Sequence, residues 1–238
     1  MQEAHQRQHA FRPIPEDVAL RPESVASPLD ARAVAAELAR HGFEMDCDVE
    51  PRQFAGGLAN LNYLIRVNGG WAVLRRPPGG PLPPGANDMA REHRILSMLW
   101  KALPLAPRSL HLCVDRAVIG APFQIIEFRH GVAVRGDRLH PLPDTSETGA
   151  ALSSMLVETL ATVHAVDPVS VGLDTLGHPE GFFGRQVDGW VGRAAEVAGG
   201  EPPAAVKEIA DWLATHQGQD DGRPVLLHSD FKLDNLLL

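Results

Sequence analysis

An aspartate and an asparagine five positions apart, Asp230 and Asn235, lie in His228-Ser-Asp230-Phe-Lys232-Leu-Asp234-Asn235, a polar, charged loop between two short apolar runs. Such loops carry chemistry because the flanking elements hold them rigid while their side chains face a cleft. Lys232 could neutralise charge developing on a reacting group, although a solvated loop lysine accounts for it equally well. A polar turn with a capping aspartate is the plain alternative for the whole loop, and Asp234 takes no role. Two further groups suit phosphate. Phe54-Ala-Gly56-Gly57-Leu-Ala59-Asn60-Leu-Asn-Tyr63 reads as strand, glycine turn, strand. Backbone N–H groups of such a turn can approach phosphate oxygens because no Cβ intervenes. It is not a Walker loop, since no Gly-Lys-Ser/Thr follows, and paired glycines alone are a weak signal. Glu92 precedes Ile95, Leu96 and Leu99 at helical spacing, which puts a carboxylate on an apolar helix face. That is costly unless the charge is paired, and a guanidinium is a suitable bidentate partner. Arg75, at the end of a strand, is the first candidate and Arg76 the alternative in register, while a Glu92 at the edge of the stripe, in water, needs neither.

These groups need elements to hold them. Residues 1–28 are polar and Pro-punctuated and are expected to form a loose, flexible extension. A short helix fits 29–40, and strands fit 49–55, 62–67 and 71–74, the last two joined by an Asn68-Gly69-Gly70 hairpin turn. The run PPGGPLPP at 77–84 can only be loop. A helix over 88–102, capped by Asn87, and two strands over 110–114 and 123–128 complete this part. Beyond Arg129-His130-Gly131 the pattern becomes helical. Asp144 with Glu147 marks a helix start, and helices are expected over 182–198 and 203–216. A lobe boundary near residue 129 follows, giving lobes of 29–129 and 130–238.

H-x-D-x-x-x-x-N after an apolar strand, written HSDFKLDN here, resembles the catalytic loop of kinase-like folds and specifically the signature of the aminoglycoside-phosphotransferase and choline-kinase-like family. Arg185-Gln186 and Trp190, in Glu180-Gly-Phe-Phe183-Gly-Arg185-Gln186-Val-Asp-Gly-Trp190, look like a helix of the phosphotransferases related to the kinase-like region of acyl-CoA dehydrogenase fusion proteins. An amphipathic helix burying Phe183 and Trp190 explains the same aromatics. His164 matches a Leu-His pattern of the family and reads as a structural residue at a helix end. The resemblance covers roughly residues 30 to 238. It implies an α+β, protein-kinase-like two-lobe fold, a small antiparallel-sheet lobe plus a mainly helical lobe, with ATP between them. It also implies transfer of the γ-phosphoryl group of ATP to a hydroxyl of a small molecule, a hydroxyacyl or aminoglycoside-like acceptor. Asp230 would then accept the hydroxyl proton and Lys232 would sit near the γ-phosphate. Asn235 would ligate Mg²⁺, and Gly56, Gly57, Asn60, Arg75 and Glu92 would form the phosphate side. Glu127 and Phe128 would lie at the adenine-reading hinge, where an ordinary core strand is the alternative. The family usually writes the glycine loop Gly-Gly-x-Ser-Asn. Ala59 replaces that serine, while Asn60 is retained. The family also places a second metal-binding Asp beyond the catalytic loop, which Leu238 precedes. The chain is therefore expected to be a C-terminally truncated fragment, inert and poorly stable by itself, its last three leucines forming an unpaired apolar strand.

Composition removes other classes. A formal net charge of −8 is opposite to the basic stripe of a nucleic-acid binder. No apolar run approaches the length of a membrane helix, and the N-terminus lacks the apolar stretch of a signal peptide. Cys47 and Cys113 form no C-x-x-C pair, so both thiols are expected buried in a reducing cytoplasm. No partner beyond the hydroxyl acceptor is indicated, and oligomeric state is left open. The rival reading is a nucleotide-binding pseudokinase or interaction module, which the missing second metal ligand and Ala59 favour and the Asp230/Asn235 pair disfavours.

Overall fold

The computed structural model describes residues 14, 18–56, 60–80, 87–136, 138–216, 218 and 223–238. The chain divides into two compact units, one of residues 1–163 with 228–238 and one of residues 164–227.

The first unit is built on a five-stranded antiparallel sheet. Its strands are β1 (Arg52–Gln53), β2 (Leu61–Val67), β3 (Gly70–Arg76), β4 (Ser109–Cys113) and β5 (Phe123–Glu127), in the order β1-β2-β3-β5-β4. The Asn68-Gly69 turn between β2 and β3 uses positive φ at both residues, as a two-residue hairpin demands. Tyr63 faces Leu74 and Ile65 faces Ala72 across that hairpin. Strand alternation therefore places Tyr63, Ile65, Val67, Ala72, Leu74, Phe123 and Ile125 in one core. Helix α1 (Ala31–Arg40) covers this face with the fully buried Val34 and Leu38. Asp30 caps it, its carboxylate accepting from the amide of Ala33.

The opposite face carries Arg75, which faces Asn62 on one side and Gln124 on the other. Helix α2 (Met89–Leu99) meets β4 and β5. Its cap is Asp88, which accepts from the amide of Arg91 at 2.9 Å, and not Asn87. Asn87 instead takes a positive φ of 56° that turns the chain into the helix. A four-residue helix, α3 (Arg116–Ile119), has no counterpart in the sequence pattern.

Residues 18–28, expected in the loose extension, are tied to the sheet. Leu20 bridges Phe54, and the amides of Arg21 and Ala55 donate to the carbonyls of Gln53 and Ala19. Helix α4 (Ser146–Ala165) starts after Thr145, whose hydroxyl accepts from the amide of Thr148, so Thr145 takes the capping place assigned to Asp144. The last residues of the chain are paired too. Val132 and Leu238 exchange both backbone hydrogen bonds at 3.0 Å, so the expected unpaired strand finds a partner upstream. Leu237 and Leu238 nevertheless leave their side chains exposed.

The second unit contains α5 (Phe182–Ala198) and α6 (Ala204–His216), which pack against each other. The expected burial of Phe183 and Trp190 does not occur. Both are exposed, and the Arg193 guanidinium lies over the Trp190 ring at 4.0 Å instead. Cys47 is exposed as well, while Cys113 is buried. No described helix is long and apolar enough to cross a membrane.

Candidate active site

Asp230, Lys232 and Asn235 come together in one turn. Leu233–Asn235 forms a single 3₁₀ turn, which folds Asn235 back onto Asp230. The Asn235 side-chain amide donates to Asp230 Oδ2 at 2.7 Å and to its backbone carbonyl at 2.9 Å. Lys232 Nζ lies 3.2 Å from the other carboxylate oxygen. The hydrogen bond from Asn235 and then that from Lys232 hold the Asp230 carboxyl below its usual range. The carboxylate is exposed and ionised. Ser229, immediately before it, has a φ of +66°, a left-handed conformation that costs a non-glycine residue energy and that often marks functional sites.

Arg75 and Glu92 meet as their spacing predicts. Arg75 Nε lies 3.1 Å from Glu92 Oε1, both side chains about one-third exposed or less. Burial pushes the Glu92 carboxyl above its ordinary range, while Arg75 and the Gln124 amide pull it down. Arg76 turns elsewhere and donates to the carbonyl of Ile119 at 3.3 Å. The alternation of β3 explains this, since adjacent residues point to opposite faces.

The glycine turn is described at Gly56 and at the buried Asn60; Gly57 and Ala59 lie outside the described residues. Gly56 has a neighbour that the sequence did not reveal. The Arg135 guanidinium fills the space a Cβ on Gly56 would need. No periodicity flags Arg135, a loop residue far away in sequence, and its charge was the only signal. Gly131 is a second close approach, where a Cβ would sit 2.8 Å from Leu237 Cβ. Segment 131–135 thus touches both Gly56 and the chain just past the Asp230–Asn235 turn.

Glu127 ends β5, and its carboxylate pairs with Arg129 at 2.9 Å and accepts from the amide of Arg108 at 3.1 Å. Phe128 meets the His130 ring edge-on at 4.9 Å. Arg185 donates to the carbonyls of His178 and Glu180, fixing the entry to α5. His164 stands in the last turn of α4, as its structural reading requires.

The chain is similar to known proteins in sequence and in fold. The model of the "Phosphotransferase enzyme family" matches residues 50–238. Acyl-CoA dehydrogenase family member 11 of Gallus gallus is 33% identical over 186 residues, covering 78% of this chain and 23% of its own length. Member 10 of Mus musculus is 34% identical over 191 residues, covering 79% and 17%. A probable acyl-CoA dehydrogenase of Arabidopsis thaliana is 32% identical over 197 residues, covering 78% and 24%. The chain therefore spans about a quarter or less of these relatives. The crystal structure of a putative aminoglycoside phosphotransferase from Ralstonia eutropha superposes with a TM-score of 0.68 at 28% identity, over 89% of this chain and 61% of that one. With its antiparallel sheet, its helices and its HSDFKLDN loop, the chain belongs to the phosphotransferase enzyme family.

Proposed function

We propose that this protein works as a small-molecule kinase, moving the γ-phosphoryl group of ATP to a hydroxyl of its acceptor. The observation that carries this reading is the 2.7 Å hydrogen bond by which Asn235 holds Asp230. It fixes an ionised carboxylate as base and commits the amide nitrogen of Asn235. The amide oxygen is thereby left for a cation, and oxygen is the donor type that Mg²⁺ takes. Mg·ATP, when bound, supplies the phosphoryl group and a metal that offsets its charge.

The chain's own groups do the rest. Asp230 accepts the proton of the acceptor hydroxyl, a contribution of about 10²–10⁴ in rate. Lys232 neutralises charge on the transferring group. Arg75, oriented by Glu92, holds phosphate oxygens, with Gly56 and Asn60 shaping the turn beside them. Glu127 and Phe128 border the base through their backbone. The acceptor is a hydroxyacyl or aminoglycoside-like compound, the two classes that the resemblance of the sequence implies. A fold does not choose between them. A reducing cytoplasm suits the exposed Cys47.

Calorimetry of the full-length protein with Mg·ATP, followed by turnover against both acceptor classes, tests the proposal. Saturable binding with turnover on one class is the expected result. No heat from a well-folded sample would overturn it, and binding without turnover on any hydroxyl would favour a non-catalytic nucleotide-binding module.

A further inference from the structure

On the face of the sheet opposite Arg75, three potential metal ligands converge. Glu37 and His41 stand one helical turn apart at the end of α1, so both look toward the sheet. His111 comes from β4. A register shift between Ser109 and His111 lets Ser109 face Ile126 and His111 face the adjacent Ile125. Ser109 is thereby turned to the α2 side and His111 to the α1 side. Bulges of this kind re-aim side chains. The His111 ring sits 5.9 Å from the Phe43 ring and 6.4 Å from that of Phe123.

The distances match a coordination sphere. Glu37 Oε1 lies 3.1 Å from His41 Nε2 and 3.7 Å from His111 Nε2, and the three ligand atoms all lie within 4.8 Å of one another. Bonds of about 2.0–2.2 Å in tetrahedral geometry place ligand atoms about 3.3–3.6 Å apart, so small rotations, chiefly of the exposed His41, close the set. The other Glu37 oxygen is engaged by Arg40. That contact orients the carboxylate and leaves Oε1 directed inward, the kind of outer partner that metal ligands commonly have.

An ion-pair cluster without a metal leaves one atom unexplained. His111 is 8% exposed, and its Nε2 is buried with no hydrogen-bond partner. At 3.7 Å the Glu37 oxygen is beyond hydrogen-bond reach. A buried ring nitrogen left unpaired is costly, and a metal ion at the centre of the three atoms satisfies it.

We propose that Glu37, His41 and His111 form a binding site for a divalent transition-metal ion of the zinc type, clamping α1 to β4, with water reaching the fourth position past His41. Two imidazoles and one carboxylate suit zinc over magnesium, which prefers oxygen donors. The site is separate from the phosphate site and does not depend on the kinase reading.

Titration of the full-length untagged protein with ZnCl₂ in excess Mg²⁺ tests it, followed by calorimetry and thermal melting. One saturable equivalent is expected, with a rise in melting temperature, and Co²⁺ should give the visible absorption of a tetrahedral site. His41→Gln and His111→Gln should each weaken Zn²⁺ binding by at least about tenfold. His41 is exposed, so that variant stays folded even if His111→Gln does not. Absence of saturable binding at micromolar Zn²⁺, or unchanged affinity in His41→Gln, would overturn the proposal.

Discussion

Arg75 Nε and Glu92 Oε1 stand 3.1 Å apart, joining the end of β3 to the first turn of α2. The pair locks the Arg75 guanidinium to the helix that packs beside the sheet. Removing Glu92 takes this carboxylate from the guanidinium, and removing Arg75 leaves a half-buried carboxylate without this charge partner. A double-mutant cycle on ATP affinity should give a coupling of about 0.5–3 kcal/mol, as for residues in contact.

The same pair has a pH signature. Glu92 titrates above its ordinary 4.5 in the folded chain, so the folded state binds its proton more tightly than the unfolded state does. Its contribution is fully present below 4.5 and is lost as pH rises through the raised value. Denaturation of wild type and Glu92→Gln across this window should show wild type losing stability relative to the variant. Parallel curves would mean that Glu92 is solvated.

Asp230→Asn should lower kcat by about 10²-fold or more with ATP affinity nearly intact, because the base acts on the acceptor. Asn235→Ala removes the main cause of the depressed Asp230 carboxyl. The acidic limb of its kcat/KM profile should therefore move upward in pH, as well as its Mg²⁺ dependence weakening. Normal turnover by Asp230→Asn on a confirmed acceptor would remove the catalytic assignment.

Arg135 is exposed and caps Gly56 through a flexible guanidinium. With the phosphates placed at the Gly56 turn, as proposed, the neighbouring Arg135 guanidinium is a further cation for them. Arg135→Ala should therefore leave the thermal melt nearly unchanged while weakening ATP binding by about tenfold, the worth of one charge-assisted hydrogen bond. Gly56→Ala should weaken ATP binding as well, since its Cβ displaces the same guanidinium. Equal affinities in Arg135→Ala and wild type would show that the contact is incidental.

Gly131 adopts a φ of +154°, and an added Cβ would meet Leu237 Cβ at 2.8 Å and Leu238 O at 2.9 Å. Gly131→Ala should therefore destabilise the protein by about 1–3 kcal/mol, through strain and overpacking together. Chemical denaturation measures it directly.

The elements around Gly56, Arg75 and Glu92 were legible where a short-range rule applies. The Asn68-Gly69 turn and the alternation of β2 and β3 follow from local chemistry. The Arg75–Glu92 pair follows because a carboxylate on an apolar stripe must find a cation. Helix starts were misplaced by one residue at Asn87 and Asp144, because neighbouring polar residues compete for one capping site and side-chain geometry decides. The positions of Arg135, His111 and residues 18–28 were not legible. Each depends on a contact between segments distant in sequence, or on a bulge that shifts alternation by one residue. Trp190 misled because an aromatic on an amphipathic helix reads as buried whether or not anything covers it.

The Val132–Leu238 exchange bears on the order of events during folding. It joins positions about a hundred residues apart, a closure whose entropic cost must be met before the contact rewards it. The α5–α6 pair needs only local closure and can form beforehand. The loop bearing Asp230 therefore settles late, after the chain around α5 and α6 has been synthesised. Substitutions at Val132 should be felt in the rate at which that loop becomes ordered as well as in how firmly it stays so.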